Sequence, residues 1–199
     1  MLELILEPTK FFHRKKEEKP RPWAAFLYAF VAILLNSLAF ELATRNLPSP
    51  MGFAGPVKWL VYVAAALVVG LVIWGVLGLI IHLLTGLGAR AFELAGWTFV
   101  PSVVTALVAL AVAAVFPVQG DLPPYPEDPR AMGEWIRAYN ALVQSSLFSR
   151  VNLFLDVASG LWSAALLYLG LKVLAPKRAV LVTAVYLLIT FGLFFLTRA

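Results

Sequence analysis

An apolar stretch near the middle of the chain decides the fold. Residues 59–84 read WLVYVAAALVVGLVIWGVLGLIIHLL, and apart from the single histidine, His82, they include no acidic or basic side chain. A helix needs about 20 apolar residues to cross the hydrocarbon core of a bilayer, which is about 30 Å thick. This stretch is longer, so it predicts a transmembrane helix that is tilted or that extends beyond the bilayer at one end.

Four other stretches of the sequence are apolar over a comparable length. The last two are separated only by the turn at residues 174–178, so they are expected to form an antiparallel hairpin. We therefore predict an all-α, polytopic integral membrane protein with a five-helix transmembrane bundle. Its predicted parts are a basic segment at residues 1–22 and a transmembrane domain at residues 23–199, with helices at about 23–43, 59–84, 92–116, 151–173 and 179–196 and an outer loop at residues 117–150.

The composition agrees with a membrane protein. Hydrophobic residues make up 61% of the chain and charged residues only 14%, against about 45–50% and about 25% in soluble domains. The net charge of +5 does not indicate nucleic-acid binding, because most basic residues lie in the gaps between apolar stretches rather than on one face. The chain has no cysteine, which excludes disulfides, thiolate metal sites and a cysteine nucleophile.

The distribution of basic residues predicts the orientation of the bundle. With the N-terminus inside, the inner segments hold ten basic residues, namely Lys10, Arg14, Lys15, Lys16, Lys19, Arg21, Arg90, Lys172, Lys177 and Arg178. The outer segments hold six, namely Arg45, Lys58, Arg130, Arg137, Arg150 and Arg198. The positive-inside rule then predicts a cytoplasmic N-terminus and, after five crossings, an external C-terminus.

Two segments outside the predicted spans have surface-active patterns. Phe11 and Phe12 precede a basic run at the N-terminus, which favours docking on anionic lipid headgroups; a disordered tail that only sets the orientation is the alternative. In the outer loop, Trp135, Tyr139 and Val143 recur at helical spacing and predict an amphipathic helix. That helix lies either on the outer membrane surface or as a lid on the bundle.

Polar residues inside the predicted spans are the candidate functional residues, because burying a charge in a membrane is costly. Asn36 lies in the first helix, and Asp156 lies one and a half turns inside the fourth. His82, Arg90 and Glu93 flank the turn between helices two and three. They could form a cluster at the cytoplasmic mouth of the bundle. The alternative for each is structural: interhelical hydrogen bonding for Asn36 and Asp156, and a local ion pair for Arg90 and Glu93, which are spaced i,i+3.

Small residues in the helices predict close helix contacts. Gly70, Gly75 and Gly78 lie along the second helix, and Gly160 and Ala164 form a small-xxx-small pair in the fourth, next to Ser159 and Ser163. Such faces either hold the bundle together or form a homo-oligomer or a contact with a partner membrane protein.

The sequence lacks the signatures of the common enzyme classes. It contains no phosphate-binding P-loop, no G-x-S-x-G and no H-E-x-x-H motif. The paired glutamates Glu17 and Glu18 are similar to those of intramembrane CAAX-type proteases, but they lie in the basic tail. Two scattered histidines do not predict a metal site. We therefore predict a protein that is not an enzyme and that uses no cofactor.

The order of turn and kink residues along the chain suggests a family. Pro8 ends any helix formed by residues 2–6 and leads into Phe11 and Phe12. Gly86 and Gly88 permit a tight reversal after helix two, and Pro101 would kink helix three. With the closing hairpin, this arrangement resembles the Yip1 family of five-helix membrane proteins, in its bacterial or archaeal branch, over nearly the whole chain.

The resemblance implies a five-helix bundle with a cytoplasmic N-terminus, here in a prokaryotic cell (inner) membrane. Eukaryotic members act in vesicle traffic and associate with Rab-type GTPases and with one another. Their Asp-Leu-Tyr-Gly-Pro signature is absent from this sequence, and the outer loop is larger than the family usually has. Both departures argue against transferring GTPase recruitment to this chain.

Two functions from different classes fit these features. The first is a non-enzymatic membrane scaffold that binds a partner protein or organises the bilayer. The second is a small oligomeric transporter or channel that uses the polar residues within the bundle. We prefer the scaffold, because five helices are few for a transporter and the sequence shows no inverted repeat. An intramembrane enzyme is the least supported alternative.

Overall fold

A computed structural model describes residues 2–48, 55–126, 128 and 130–196. All regular secondary structure over these residues is helical, as predicted. The α-helices are α1 (Leu2–Leu6), α2 (Pro8–Glu17), α3 (Pro22–Ala43), α4 (Gly55–Thr85), α5 (Ala89–Trp97), α6 (Val100–Val115), α7 (Met132–Ser145), α8 (Leu147–Leu174) and α9 (Ala179–Leu196), with a 3₁₀ turn at Pro176–Arg178.

Four segments of the described chain are long and apolar enough to cross a membrane. They are Pro22–Ala43, Trp59–Thr85, Ala89–Val115 and Leu147–Leu174, and they correspond to the first four predicted spans. The protein is therefore an integral membrane protein. Helix α9 lies at the fifth predicted position but is not among these four segments, so the five-crossing count stays a prediction.

The third span differs from the single helix predicted at residues 92–116. It begins earlier, at Ala89, and it is divided by a turn at Thr98 and Phe99 into α5 and α6. Pro101 lies in the first turn of α6, where its missing N–H and fixed φ cost little. The proline therefore belongs to the start of a second helix rather than to the middle of a kinked one.

The N-terminal segment packs against the bundle. Pro8 begins α2 directly after α1 ends, and Leu4, Phe11 and Phe12 are buried in the same core as residues of α5 and α8. Phe12 is only 1% exposed. The disordered alternative is therefore wrong for these residues, and the two phenylalanines contact protein rather than lipid headgroups.

The helices define two ends of the bundle. The basic end consists of α1, α2 and residues 18–21, the turn between α4 and α5 with the start of α5, and the last turn of α8 with the 3₁₀ turn before α9. It contains all ten basic residues that the sequence assigned to the inner segments. The loop end consists of residues 44–48 and 116–146. Of the six outer basic residues, Arg198 lies outside the described residues.

The loop end is a packed structure. Val118 N–H donates to the Ala43 carbonyl at 2.7 Å, and the Arg45 guanidinium donates to the Ala113 and Ala114 carbonyls at the end of α6. Helix α7 buries Trp135, Tyr139 and Val143 against protein, and Trp135 is only 3% exposed. Of the two alternatives for this helix, the structure therefore favours the lid.

Candidate functional site

The described part of the bundle contains a cavity of about 510 Å³ between α3, α4, α6, α8 and α9. This volume lies in the range of about 300–1,000 Å³ that is typical of ligand pockets. Helix α4 contributes an aliphatic wall, which comprises Val72, Ile73, Val76, Leu77, Ile80 and Ile81. The other helices contribute the polar part of the lining, which we call its polar side and which comprises Asn36, Ser102, Thr105, Asp156, Ser159 and Thr190.

Among the described residues that line the cavity, Asp156 is the only acidic or basic one. It lies about 14 Å along α8 from Leu147, at a rise of 1.5 Å per residue. The Asn152 side-chain amide, one turn before it, donates to Asp156 Oδ2 at 3.2 Å. Asn36 lines the same cavity, although its amide also donates to the Ala32 carbonyl of its own helix at 2.9 Å. The structure thus brings together two of the five predicted polar residues.

Hydroxyl groups form the rest of the polar side. Ser102 and Ser159 are hydrogen bonded at 2.9 Å between α6 and α8, and Ser163 donates to the Thr98 carbonyl at 2.6 Å. Asp156, Ser159 and Ser163 are spaced i, i+3 and i+7, which places them on one face of α8. Sequence reasoning treated these serines only as small packing residues, although the same spacing could have shown that they share a face with Asp156.

His82, Arg90 and Glu93 have two separate roles in the structure. His82 Nδ1 accepts from the Gly88 N–H at 3.1 Å, which orders the turn between α4 and α5. Gly86 and Gly88 have positive φ angles of 73° and 57°, a region that favours glycine. Arg90 instead pairs with Glu93 and donates to the Glu18 carbonyl just after α2.

Arg90 therefore joins the N-terminal helices to the bundle. Glu93 is only 1% exposed, and its Oε1 has no hydrogen-bond partner among the described residues. Trp97, one turn further along α5, contacts the Phe11 ring edge-to-face at 5.1 Å. The Lys15 ammonium lies 5.9 Å from the centre of the Trp97 ring. The Arg90 hydrogen bond to the Glu18 carbonyl and the aromatic contact thus hold α2 on α5.

Helix α2 and the residues that follow it carry five exposed basic side chains, which we call together the basic face: Lys10, Arg14, Lys16, Lys19 and Arg21. Two of them also form ion pairs along the helices: Lys10 with Glu7 at 2.9 Å, and Arg14 with Glu3 at 2.5 Å. The hydrogen bond with Glu7 raises the pKa of Lys10. Lys10 therefore keeps its positive charge at neutral pH.

The arrangement provides no metal site in the part of the chain that the structure describes. Among those residues, no group of three or more His, Asp or Glu side chains could hold a metal ion. The chemistry that the cavity offers is hydrogen bonding and one carboxylate beside an aliphatic wall.

The fold and these sites define a polytopic α-helical membrane protein with a folded, basic N-terminal cap. Comparison with family models gives a match to the Yip1 domain over residues 2–197. Because that match covers nearly the whole chain, the protein belongs to the Yip1 domain family. No curated protein and no solved structure matches the chain.

Proposed function

We propose that this Yip1-family protein is a non-enzymatic scaffold that binds a partner protein or organises the membrane through its basic end. The observation that carries the proposal is the packing of α1 and α2 into the core of the bundle. Because Phe11, Phe12 and Arg90 hold these helices in place, the basic face is a fixed surface rather than a flexible tail. A fixed surface loses less conformational entropy on binding.

The basic face suits a negatively charged partner surface at the inner leaflet. In the proposed orientation the N-terminus is cytoplasmic, the C-terminus is external, and the protein lies in a prokaryotic cell (inner) membrane. Each lysine or arginine near an anionic leaflet contributes about 1 kcal/mol of binding. Anionic lipid headgroups are therefore one proposed ligand of this face, and an acidic surface on a partner protein is the other.

Helix α4 supports a homo-oligomer or a contact with a partner membrane protein. Many of its aliphatic side chains are exposed, and a Cβ built on Gly75 would contact no other atom within 4 Å. A small residue on an open, apolar helix face allows another helix to approach closely in a membrane.

Pull-down and crosslinking of the full chain from its native membrane, under mild detergent, test the scaffold. The test variant is Lys16→Glu/Lys19→Glu on the basic face, and the matched control is Arg130→Glu/Arg137→Glu at the loop end. We expect the wild type and the control to recover the same partner and the test variant to lose it. Repeated recovery of a lone monomer from the wild type would refute the scaffold.

A second candidate function is a small oligomeric transporter or channel, and the cavity with its single carboxylate favours it. Flux of ions and small anions into liposomes tests this candidate. We expect an Asp156→Asn variant to lose flux that the wild type supports. Absence of flux with the wild type would exclude the candidate.

A further inference from the structure

We propose that helix α1 and the basic face together form an anchor on the anionic lipids of the adjoining leaflet, with Leu2 and Leu6 inserted among the lipid headgroups. This inference rests on the proposed function, in which the basic end is the binding surface, and it names the ligand of that surface. The ligand is the lipid leaflet itself rather than an acidic partner protein.

The outer side of α1 is apolar. Leu2 and Leu6 are 73% and 74% exposed, and their i,i+4 spacing places them on the same side of the helix. Leu4 lies between them in the sequence but is fully buried, in the same core as Phe11 and Phe12. Among the described residues outside the long apolar helices, no large apolar side chain is more exposed than these two leucines. Helix α1 therefore packs on the bundle with one side and presents two leucines on the other, where leaving water would stabilise them.

The N-terminal helices lie at the depth of the membrane surface. Phe12 packs against Gly170 of α8, where an added Cβ would lie 3.0 Å from the phenylalanine ring. Gly170 is only about 6 Å from the end of α8, at a rise of 1.5 Å per residue. Residues 18–21 join α2 to α3, and a linker of this length covers at most about 14 Å. Trp23, in the first turn of α3, is exposed, as is typical of a tryptophan at the membrane–water interface.

The whole net charge of the protein belongs to this end. The basic end holds ten basic and five acidic residues, and the rest of the chain holds six of each, so the net charge of +5 lies with the two leucines. The five acidic residues are Glu3, Glu7, Glu17, Glu18 and Glu93.

Charge and apolar surface together point to lipid. Electrostatic attraction to anionic lipids adds to apolar burial when a helix binds a membrane surface. An acidic protein surface would match the charge of the basic face alone. An anionic leaflet offers phosphate groups to the basic face and acyl chains to Leu2 and Leu6, so one ligand accounts for both features.

Fluorescence quenching in nanodiscs tests the anchor on the full chain. Because the natural sequence has no cysteine, Leu6→Cys provides a single site for a bimane label, which is itself apolar and replaces the leucine side chain. The nanodiscs contain phosphatidylcholine alone or with about one quarter phosphatidylglycerol as the anionic lipid, and a lipid with a nitroxide near the glycerol is the quencher. We expect the Leu6 label to be quenched, and more strongly with the anionic lipid. Ile136→Cys, an exposed apolar position at the loop end, is the control, and its quenching should not depend on lipid charge.

Two variants in the Leu6→Cys background separate charge from apolar contact, and both change exposed positions, so the fold is kept. Lys16→Glu/Lys19→Glu should remove the increase with anionic lipid, since two basic residues near such a leaflet change the docking equilibrium by at least about tenfold. Leu2→Ser should reduce quenching in both lipid compositions. Arg130→Glu/Arg137→Glu at the loop end is the matched charge control and should change neither result.

The outcomes distinguish the anchor from the scaffold. A Leu6 label that is not quenched, or is quenched equally in the two lipid compositions, overturns the anchor and leaves an acidic partner protein as the ligand of the basic face. If the scaffold alone fails, the pull-down recovers a lone monomer while the Leu6 label still shows charge-dependent quenching, which supports the anchor.

Discussion

At the scale of single residues, the ion pair between Arg90 and Glu93 is predicted to stabilise the attachment of the N-terminal helices. Replacing Arg90 by alanine leaves Glu93 buried with an uncompensated charge, which costs about 3–5 kcal/mol when a buried pair is broken. It also removes the hydrogen bond to the Glu18 carbonyl. We therefore expect Arg90→Ala to lower the thermal midpoint in detergent strongly.

The double variant Arg90→Ala/Glu93→Gln separates charge from packing. A neutral glutamine needs no counter-charge, so the double variant should recover part of the stability that Arg90→Ala loses. Arg137→Ala, which removes an exposed arginine from α7, is the control and should change the midpoint little. An Arg90→Ala protein as stable as this control would contradict the prediction.

Sequence spacing predicted only part of this attachment. The i,i+3 separation of Arg90 and Glu93 predicts their pairing because it places both on one face of α5. The bond from Arg90 to Glu18 joins residues far apart in the chain, and no local pattern encodes it. The bond from Gly88 to His82 likewise depends on the path of the turn. For that reason the predicted three-residue cluster divides into two separate contacts.

At the scale of helices, Gly96 is predicted to set the contact between α3 and α5. A Cβ added at Gly96 would overlap the backbone of Ala25 and would lie 2.5 Å from its Cβ. Gly96→Ala should therefore force the helices apart and destabilise the protein by about 1–3 kcal/mol, the usual cost of overpacking.

Gly75→Ala is the matched control for Gly96→Ala. It makes the same change inside a helix, but the new Cβ would meet no neighbouring atom within 4 Å. Because alanine has a higher helix propensity than glycine, the stability should be equal or slightly higher. Thermal midpoints of the two variants in the same detergent check the prediction. A Gly96→Ala midpoint at or above that of Gly75→Ala would show that the contact tolerates a methyl group.

Helix α7 is predicted to lose stability at alkaline pH through Tyr139. Burial raises the pKa of Tyr139 above its ordinary value near 10. A group whose pKa is raised on folding stabilises the folded state below its unfolded pKa, and this contribution is lost as the pH rises above that value and through the folded pKa. Tyr139→Phe, which cannot ionise, should therefore keep its stability at alkaline pH where the wild type loses it.

The measurement for Tyr139 is the difference in thermal midpoint between wild type and Tyr139→Phe from pH 8 to pH 11. The difference should shift in favour of Tyr139→Phe as the pH rises above 10. Tyr125→Phe, at a tyrosine that is 47% exposed, is measured in parallel as the control for the substitution itself. A difference for Tyr139→Phe that does not change with pH would contradict the role of burial.

At the scale of the whole molecule, apolar length predicted the helices well and the packing between them poorly. The bounds of α3 agree with the predicted range within a residue, because a span must match the bilayer, and those of α9 agree with the range predicted for the fifth helix. The division of the third span was missed, since Pro101 alone does not reveal the Ser163 bond to the Thr98 carbonyl. The cavity was missed as well, because Asn36, Asp156 and Thr190 come from three helices and only the assembled bundle brings them together.

The orientation and the number of crossings can be tested together, because the natural sequence has no cysteine. Single cysteines at Lys16, on the basic face, and at Ser145, at the exposed end of α7, would lie on opposite sides of the membrane. With a cytoplasmic N-terminus, a membrane-impermeant maleimide should label Ser145→Cys in intact cells and Lys16→Cys only after permeabilisation. The reverse pattern would invert the proposed orientation.

A cysteine appended after Ala199 then counts the crossings. If α9 spans the membrane, this cysteine is labelled together with Ser145→Cys, as five crossings require; if α9 does not span, it is labelled together with Lys16→Cys. The apolar sequence of α9 and its start beside Lys177 and Arg178 favour the first result, because basic residues remain on the cytoplasmic side of a span.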